Sequence, residues 1–186
     1  MCIMCEGASL DEVLFGIHHK VTTRGWALQA VGGDPPDGAD WVYTIGLSGF
    51  DHPELLVVGE GVVKVAGVVL NDLGERIRAG DRFDVGDEVP FPSGPVTFGL
   101  VHSAHIARGL VAMWPNYYGR VGGELPPVEF LQVVLPDIEC SCGRVHGTPL
   151  LSDPSVRVGR ASRRQPMDRL PSYRPRSAAV RRRRKR

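Results

Sequence analysis

The chain has 186 residues, 42% of them apolar and 23% charged, and a formal net charge of +1. That length suits one domain or a domain with an appendage, and that composition argues against whole-chain disorder and against a membrane protein. No apolar run reaches the ~18 residues of a transmembrane helix, and Met1 to Glu12 lacks the basic start and apolar stretch of a secretory signal, so a cytoplasmic protein is expected.

Ser9-Leu10-Asp11-Glu12 has the form of a capping box, and Leu10, Val13, Leu14, Ile17 and Val21 then recur at helical spacing up to Gly25, a natural stop. Trp26 to Val31 reads as a strand and Gly32 to Asp40 as an exposed loop. Trp41, Tyr43, Ile45 and Leu47 alternate with Val42, Thr44 and Gly46, which predicts a half-buried strand. A turn at Ser48 to Pro53 leads to a buried strand at Leu55 to Val58, and the two strands are expected to pair. Val62, Val65, Val69, Leu73 and Ile77 then share one helical face, with Gly80 as the cap.

Arg82 to Val89 and Val96 to Val101 read as strands separated by a Pro/Gly turn. Ser103 is expected to cap a third helix carrying Ile106, Leu110 and Met113, ended by Pro115. Phe130 to Leu135 reads as a last buried strand. The order predicts an α+β domain over residues 1–154, with a mixed or mostly antiparallel sheet of five to six strands and three helices. Residues 155–186 differ in kind: twelve arginines and Lys185 face the single acid Asp168, a net of +12 that leaves −11 on residues 1–154. With Pro166, Pro171 and Pro175 and few large apolar side chains, this basic tail is expected to be disordered in isolation.

Four cysteines offer one metal reading. Cys2 and Cys5 form a CxxC pair and Cys140 and Cys142 a CxC pair, and zinc is built from such short thiolate loops if both ends of the chain meet. Reduced thiols without a metal are the alternative. Among polar residues, His52 and Glu54 sit at the turn between two buried strands, where an imidazole beside a carboxylate can act as acid and base; otherwise His52 shapes the turn and Glu54 faces water. His102 and His105 flank the start of the third helix and can bind an anion or metal, or cap and pack. Thr44 and Tyr43 on the strand, together with Tyr117 and Tyr118 after the third helix, can line a ligand pocket or pack in the core. Asn71 falls within the apolar face of the second helix, where its amide needs a hydrogen-bond partner. Phosphate-loop, dinucleotide, nucleophile-elbow and HExxH motifs are lacking. The terminal run Arg181, Arg182, Arg183, Arg184, Lys185 and Arg186 points to nucleic acid or another polyanion, or to the acidic body itself.

Several short motifs occur in series: Tyr43-Thr44-Ile45-Gly46-Leu47, His52-Pro53-Glu54-Leu55, Leu70-Asn71-Asp72-Leu73, Tyr117-Tyr118-Gly119, and Leu131-Gln132 followed by Pro136-Asp137. In this order and spacing the chain resembles the bacterial domain of unknown function 4262 family over about residues 1–138, where an early cysteine pair like Cys2 and Cys5 is also usual. The resemblance implies a small bacterial intracellular protein and brings no reaction or cofactor with it. Two segments depart from the family pattern, the Cys140 to His146 stretch and the arginine-rich tail. The expected function is that of an accessory or binding protein whose tail binds nucleic acid. The alternative is an enzyme with a small-molecule or flavin-type pocket near Tyr43, His52 and His105.

Overall fold

The computed structural model describes residues 7–33, 39–121, 125–136, 138–139, 145–146 and 148–158. Helix α1 (Leu10–Arg24) begins as its sequence requires: Ser9 Oγ accepts from Glu12 N at 3.3 Å while Glu12 Oε2 accepts from Ser9 N at 2.7 Å. Gly25 closes it in the left-handed conformation. Strands β1 (Ala27–Val31), β2 (Asp40–Ile45) and β3 (Glu54–Gly59) follow as an antiparallel run, then α2 (Val63–Ala79), capped by Gly80 as expected. After β4 (Glu88–Val89) and β5 (Val96–Leu100) come two short helices, α3 (Ser103–Ala107) and α4 (Met113–Arg120), and strand β6 (Phe130–Val134). A separate two-stranded pair, β7 (Ile138–Glu139) and β8 (Val145–His146), stands outside the main sheet.

The main sheet is mixed, in the order β1-β2-β3-β6-β5-β4. Its one parallel pair, β3 with β6, lies at the centre and sets Glu54 opposite Phe130. Both faces are covered, which makes this an α+β fold of the expected class. On one face Val42, Leu55, Val57, Leu131 and Val133 pack under Ala66, Val69, Leu70, Leu73 and Ile77 of α2. On the other, Trp41, Tyr43, Ile45, Leu56, Val58 and Phe130 pack under Leu14 and Ile17 of α1 and Trp114, Tyr117 and Tyr118 of α4. Each fully buried aliphatic side chain of this kind contributes about 1.5–3 kcal/mol. Trp26 lies so close to α2 that a Cβ at Gly74 would stand 2.5 Å from its ring, and Trp26 Nε1 donates to Asn71 Oδ1 at 3.3 Å, which gives that amide its partner.

Three local expectations are corrected. Residues 41–45 are buried on both faces rather than half-buried, because helices cover both sides of the strand. The expected strand Arg82 to Val89 shrinks to Glu88–Val89, since the Asp87 carboxylate accepts from Asp84 N (2.8 Å), Asp84 Oδ1 accepts from Val85 N (2.7 Å), and Gly86 takes a positive φ, so the segment turns. The expected third helix is two helices. His102 rather than Ser103 caps α3, its Nδ1 accepting from Ala104 N at 3.1 Å, and Pro115 opens α4 instead of ending a helix, since its missing N–H is one the first turn would leave unused.

A last segment is fastened across the second face by its main chain. Gln132, 1% exposed, donates from Nε2 to Pro149 O and accepts from Leu151 N at Oε1, both at 2.7 Å. Leu151 O accepts from His102 N (2.8 Å), and Arg108 donates to Pro154 O (2.6 Å). The Leu151 side chain is fully buried, and Val156 and Val158, which the sequence reading assigns to the tail, pack against the same cluster.

Candidate functional site

The chemistry of the fold gathers at Glu54. This carboxylate begins β3, 1% exposed, and points at the turn that leaves β2. Thr44 Oγ1 donates to Oε2 at 2.6 Å, Gly46 N to Oε1 at 2.7 Å, Leu47 N to Oε2 at 3.2 Å and Ser48 N to Oε1 at 3.5 Å. Thr44 Oγ1 in turn accepts from Leu55 N at 2.8 Å, so its hydrogen is free for the carboxylate. Burial pushes the Glu54 pKa up, and the hydrogen bonds from Thr44, Gly46, Leu47 and Ser48 oppose that rise. Glu54 does not face water.

Local sequence explains the cradle. After Ile45 the chain tightens into a 3-10 turn at Leu47–Phe50, which aims successive amide hydrogens inward. Gly46 makes this possible: its φ is +122°, and a Cβ there would stand 2.5 Å from Gly25 O at the end of α1. The Glu54 amide donates to Glu129 O at 3.0 Å, which ties the start of β3 to the residue before β6.

A second layer leads from the carboxylate to the surface. Tyr118 of α4 donates from its hydroxyl to Glu54 Oε1 at 3.5 Å and meets Ser48 Oγ at 2.7 Å. Burial first and the Glu54 charge second hold the Tyr118 hydroxyl well above the ordinary phenol range. Ser48 and Tyr118 open into a cleft of about 280 Å³ walled by Val21, Gly46, Gly49, Tyr117 and Pro126 as well. His18 Nδ1 lies 3.3 Å from the hydroxyl of Tyr117, one of the cleft walls. Neither a basic side chain that would take a phosphate nor a carboxylate is among the residues lining this cleft.

Of the candidates read from the sequence, Thr44, Glu54, Tyr117 and Tyr118 come together here, and the others do not. His52 donates from Nδ1 to Pro53 O (2.7 Å) and accepts at Nε2 from Phe83 N (3.1 Å), with its ring edge-on to Phe83. That pattern fixes one neutral tautomer and occupies both ring nitrogens. Burial, and secondarily the charge of Arg82, lower its pKa, while the bond to Pro53 works the other way. Tyr43, fully buried, accepts at its hydroxyl from Met113 N (3.1 Å) at the start of α4, and burial raises its pKa. His105 Nε2 pairs with Asp153 O at 3.0 Å and His102 caps α3. Among the described residues no group of three or more His, Cys, Asp or Glu side chains is placed to hold a metal ion. Cys2, Cys5, Cys140 and Cys142 lie outside the described residues, as does the run Arg181 to Arg186, so the zinc and polyanion readings concern parts the structure does not describe.

Gly46, Ser48, His18, Val21 and Pro126 were not singled out from the sequence as site residues. Ser48 and Gly49 carry one usable signal, a small polar step directly after a buried strand, but nothing local says that Tyr118, seventy residues on from Ser48, will meet it. The residues that do converge, Thr44, Gly46, Leu47, Glu54 and Tyr118, belong to three of the short motifs met in series along the chain. A family model described as "Domain of unknown function (DUF4262)" matches residues 20–139, well over half of the chain. The chain belongs to this family. Every residue of the Glu54 cradle and every wall of the cleft falls within the DUF4262 match, whereas the segment held by Gln132 lies beyond it. Searches among curated proteins and among solved structures returned no match.

Proposed function

We propose that this DUF4262 protein is a small cytoplasmic accessory protein that binds a ligand in the Ser48–Tyr118 cleft. The observation that carries the reading is the hydrogen-bonded path from the cleft wall through Tyr118 to the buried Glu54 carboxylate. Burying a carboxylate costs free energy even when it is well partnered, and a core residue of the same size would fill the space without that cost. A polar path to a surface opening is the arrangement a recognition site needs. An enzyme built around Tyr43, His52 and His105 has less support, because each of the three is bonded to a different stretch of backbone, Met113, Phe83 and Asp153.

The test is native mass measurement on gently purified protein, with Gly49→Phe as the partner sample. Gly49 lines the cleft and a Cβ there meets no atom within 4 Å, so a phenyl group is added at the cleft wall without displacing backbone. A small molecule carried by the wild type and lost from the variant supports the reading; equal retention in both overturns it. For no membrane association the support is narrower: among the described residues no helix is long and apolar enough to cross a membrane.

A second reading concerns the tail, and its support is the charge of +12 on residues 155–186. We propose that this extension supplies nucleic-acid affinity and the acidic body none. Full-length protein and a chain stopped after Val158, which keeps the packed valines, are titrated with a short duplex and a single strand at two salt concentrations. Loss of salt-dependent binding on truncation is expected, and equal affinities end the idea.

A further inference from the structure

We infer that the cleft recognises an organic cation, a guanidinium or alkylammonium group, through the Ser48–Tyr118–Glu54 chain and the ring of Tyr117. This deepens the ligand-binding reading and rests on it. Three of the groups on Glu54 are backbone amides, which can only donate, so the carboxylate is the accepting end of the chain. The Tyr118 hydroxyl spends its hydrogen on Glu54, so its oxygen accepts from Ser48, and Ser48 in turn spends its hydrogen on Tyr118. What Ser48 Oγ then offers the cleft is lone pairs. The wall asks for a donor.

Four further features favour that donor being charged. When ionised, the Glu54 carboxylate sits in the interior, where a charge is screened far less than in water, one side chain behind the Tyr118 wall of the cleft. Helix α1 ends at Arg24, Val21 of its last turn lines the cleft, and Gly25 O abuts Gly46, so the negative end of the helix lies against the site. Tyr117 and Tyr118 stand edge to face at 5.0 Å, which leaves aromatic surface in the wall for a cation to lie on. The body, at −11 over residues 1–154, favours cations wherever the +12 tail does not cover it. Val21 and Pro126 supply apolar wall for the hydrocarbon part of such a ligand.

The experiment titrates the full-length protein with n-butylguanidinium, n-butylammonium, the near-isosteric neutral n-butylurea, and butyrate, following the amide signals of Gly46, Ser48 and Gly49 by NMR. Both cations are expected to shift these three amides with millimolar affinity, with n-butylurea weaker by about tenfold or more and butyrate silent. Ser48→Ala and Tyr118→Phe are each expected to weaken the cations several-fold and n-butylurea by less; Ser48→Ala removes one hydroxyl from a half-buried position and keeps the Ser48 N contact to Glu54, so its result stands even if the Tyr118 variant unfolds. Binding of n-butylurea or butyrate as tight as the cations overturns the inference but leaves the cleft a ligand site. Cation-induced shifts no larger at the cleft than at the acidic turn of Asp84 and Asp87 also overturn it, as does silence from every probe; the mass measurement with Gly49→Phe decides separately whether the cleft holds anything.

Discussion

Replacing Glu54 by glutamine asks how much of the fold hangs on one carboxylate. The variant keeps one accepting oxygen. Placed at the Oε1 position, it retains Gly46 N, Ser48 N and Tyr118; the amide nitrogen then falls at Oε2 and donates to Thr44 Oγ1, whose hydrogen turns to Leu55 O. Leu47 N, 3.2 Å from the former Oε2, is left facing another donor. One orphaned buried amide costs about 1–3 kcal/mol. For a domain whose urea m-value is about 2 kcal/mol/M, the denaturation midpoint falls by roughly 0.5–1.5 M. Glu54→Leu removes the acceptor from all three amides, Gly46, Leu47 and Ser48, and costs roughly three times as much, about 3–9 kcal/mol, enough to unfold a typical domain. The sign with pH is opposite to that of an ordinary carboxylate. A folded-state pKa raised above 4.5 means that the native protein holds its proton longer than the unfolded chain, so Glu54's contribution is greatest below 4.5 and is lost as pH rises through the folded pKa. The margin of wild type over Glu54→Gln therefore narrows as pH climbs from 4.5. Urea titrations of the three proteins at several pH values measure all of this. A Glu54→Leu protein within about 1 kcal/mol of wild type refutes the reasoning.

His52 works in the other sense. Its lowered folded-state pKa means that stability present above 6.5 is lost as pH falls through the folded value, so wild type should weaken on going from neutral to mildly acid pH more than His52→Asn does, as read by thermal melts. Leu151→Ala empties a fully buried position and should cost about 2–5 kcal/mol, measured by urea denaturation; a loss under about 1 kcal/mol means that the segment only rests on the surface. Gly46→Ala combines a left-handed φ with a 2.5 Å approach to Gly25 O and should cost more than about 1 kcal/mol, with the amide signals of Leu47 and Ser48 displaced.

Much of the scaffold is written locally. The capping box before α1, the apolar stripe of α2 with Gly80 behind it, and the paired apolar runs of β2 and β3 are each decided by neighbours within a few residues, and so each is readable in the chain. Pro115 marks a helix boundary without saying on which side the helix lies; the docking of Trp114 on Phe130, with Tyr118 packed against Trp114, decides it, and that is a tertiary matter. In the same way alternation in residues 41–47 cannot report whether one face of the sheet or both are covered. The site is legible only in pieces. Thr44, Glu54, Tyr117 and Tyr118 stand out as polar or aromatic residues at suggestive places, yet what joins them is the parallel pairing of β3 with β6 and the seating of α4, contacts between residues tens of positions apart. Leu151 gave no warning at all, since a leucine just before Ser-Asp-Pro belongs to no apolar repeat that would mark it as a plug for the sheet.

That plug sets where the protein can be cut. A recombinant fragment trimmed to the limits of the family match would stop at residue 139 and leave a vacant greasy socket flanked by an amide, Gln132, with nothing to bind. Anyone producing the isolated globule for crystals or binding work should keep the chain through Val158, because the stretch matched by the family is shorter than the stretch that packs together.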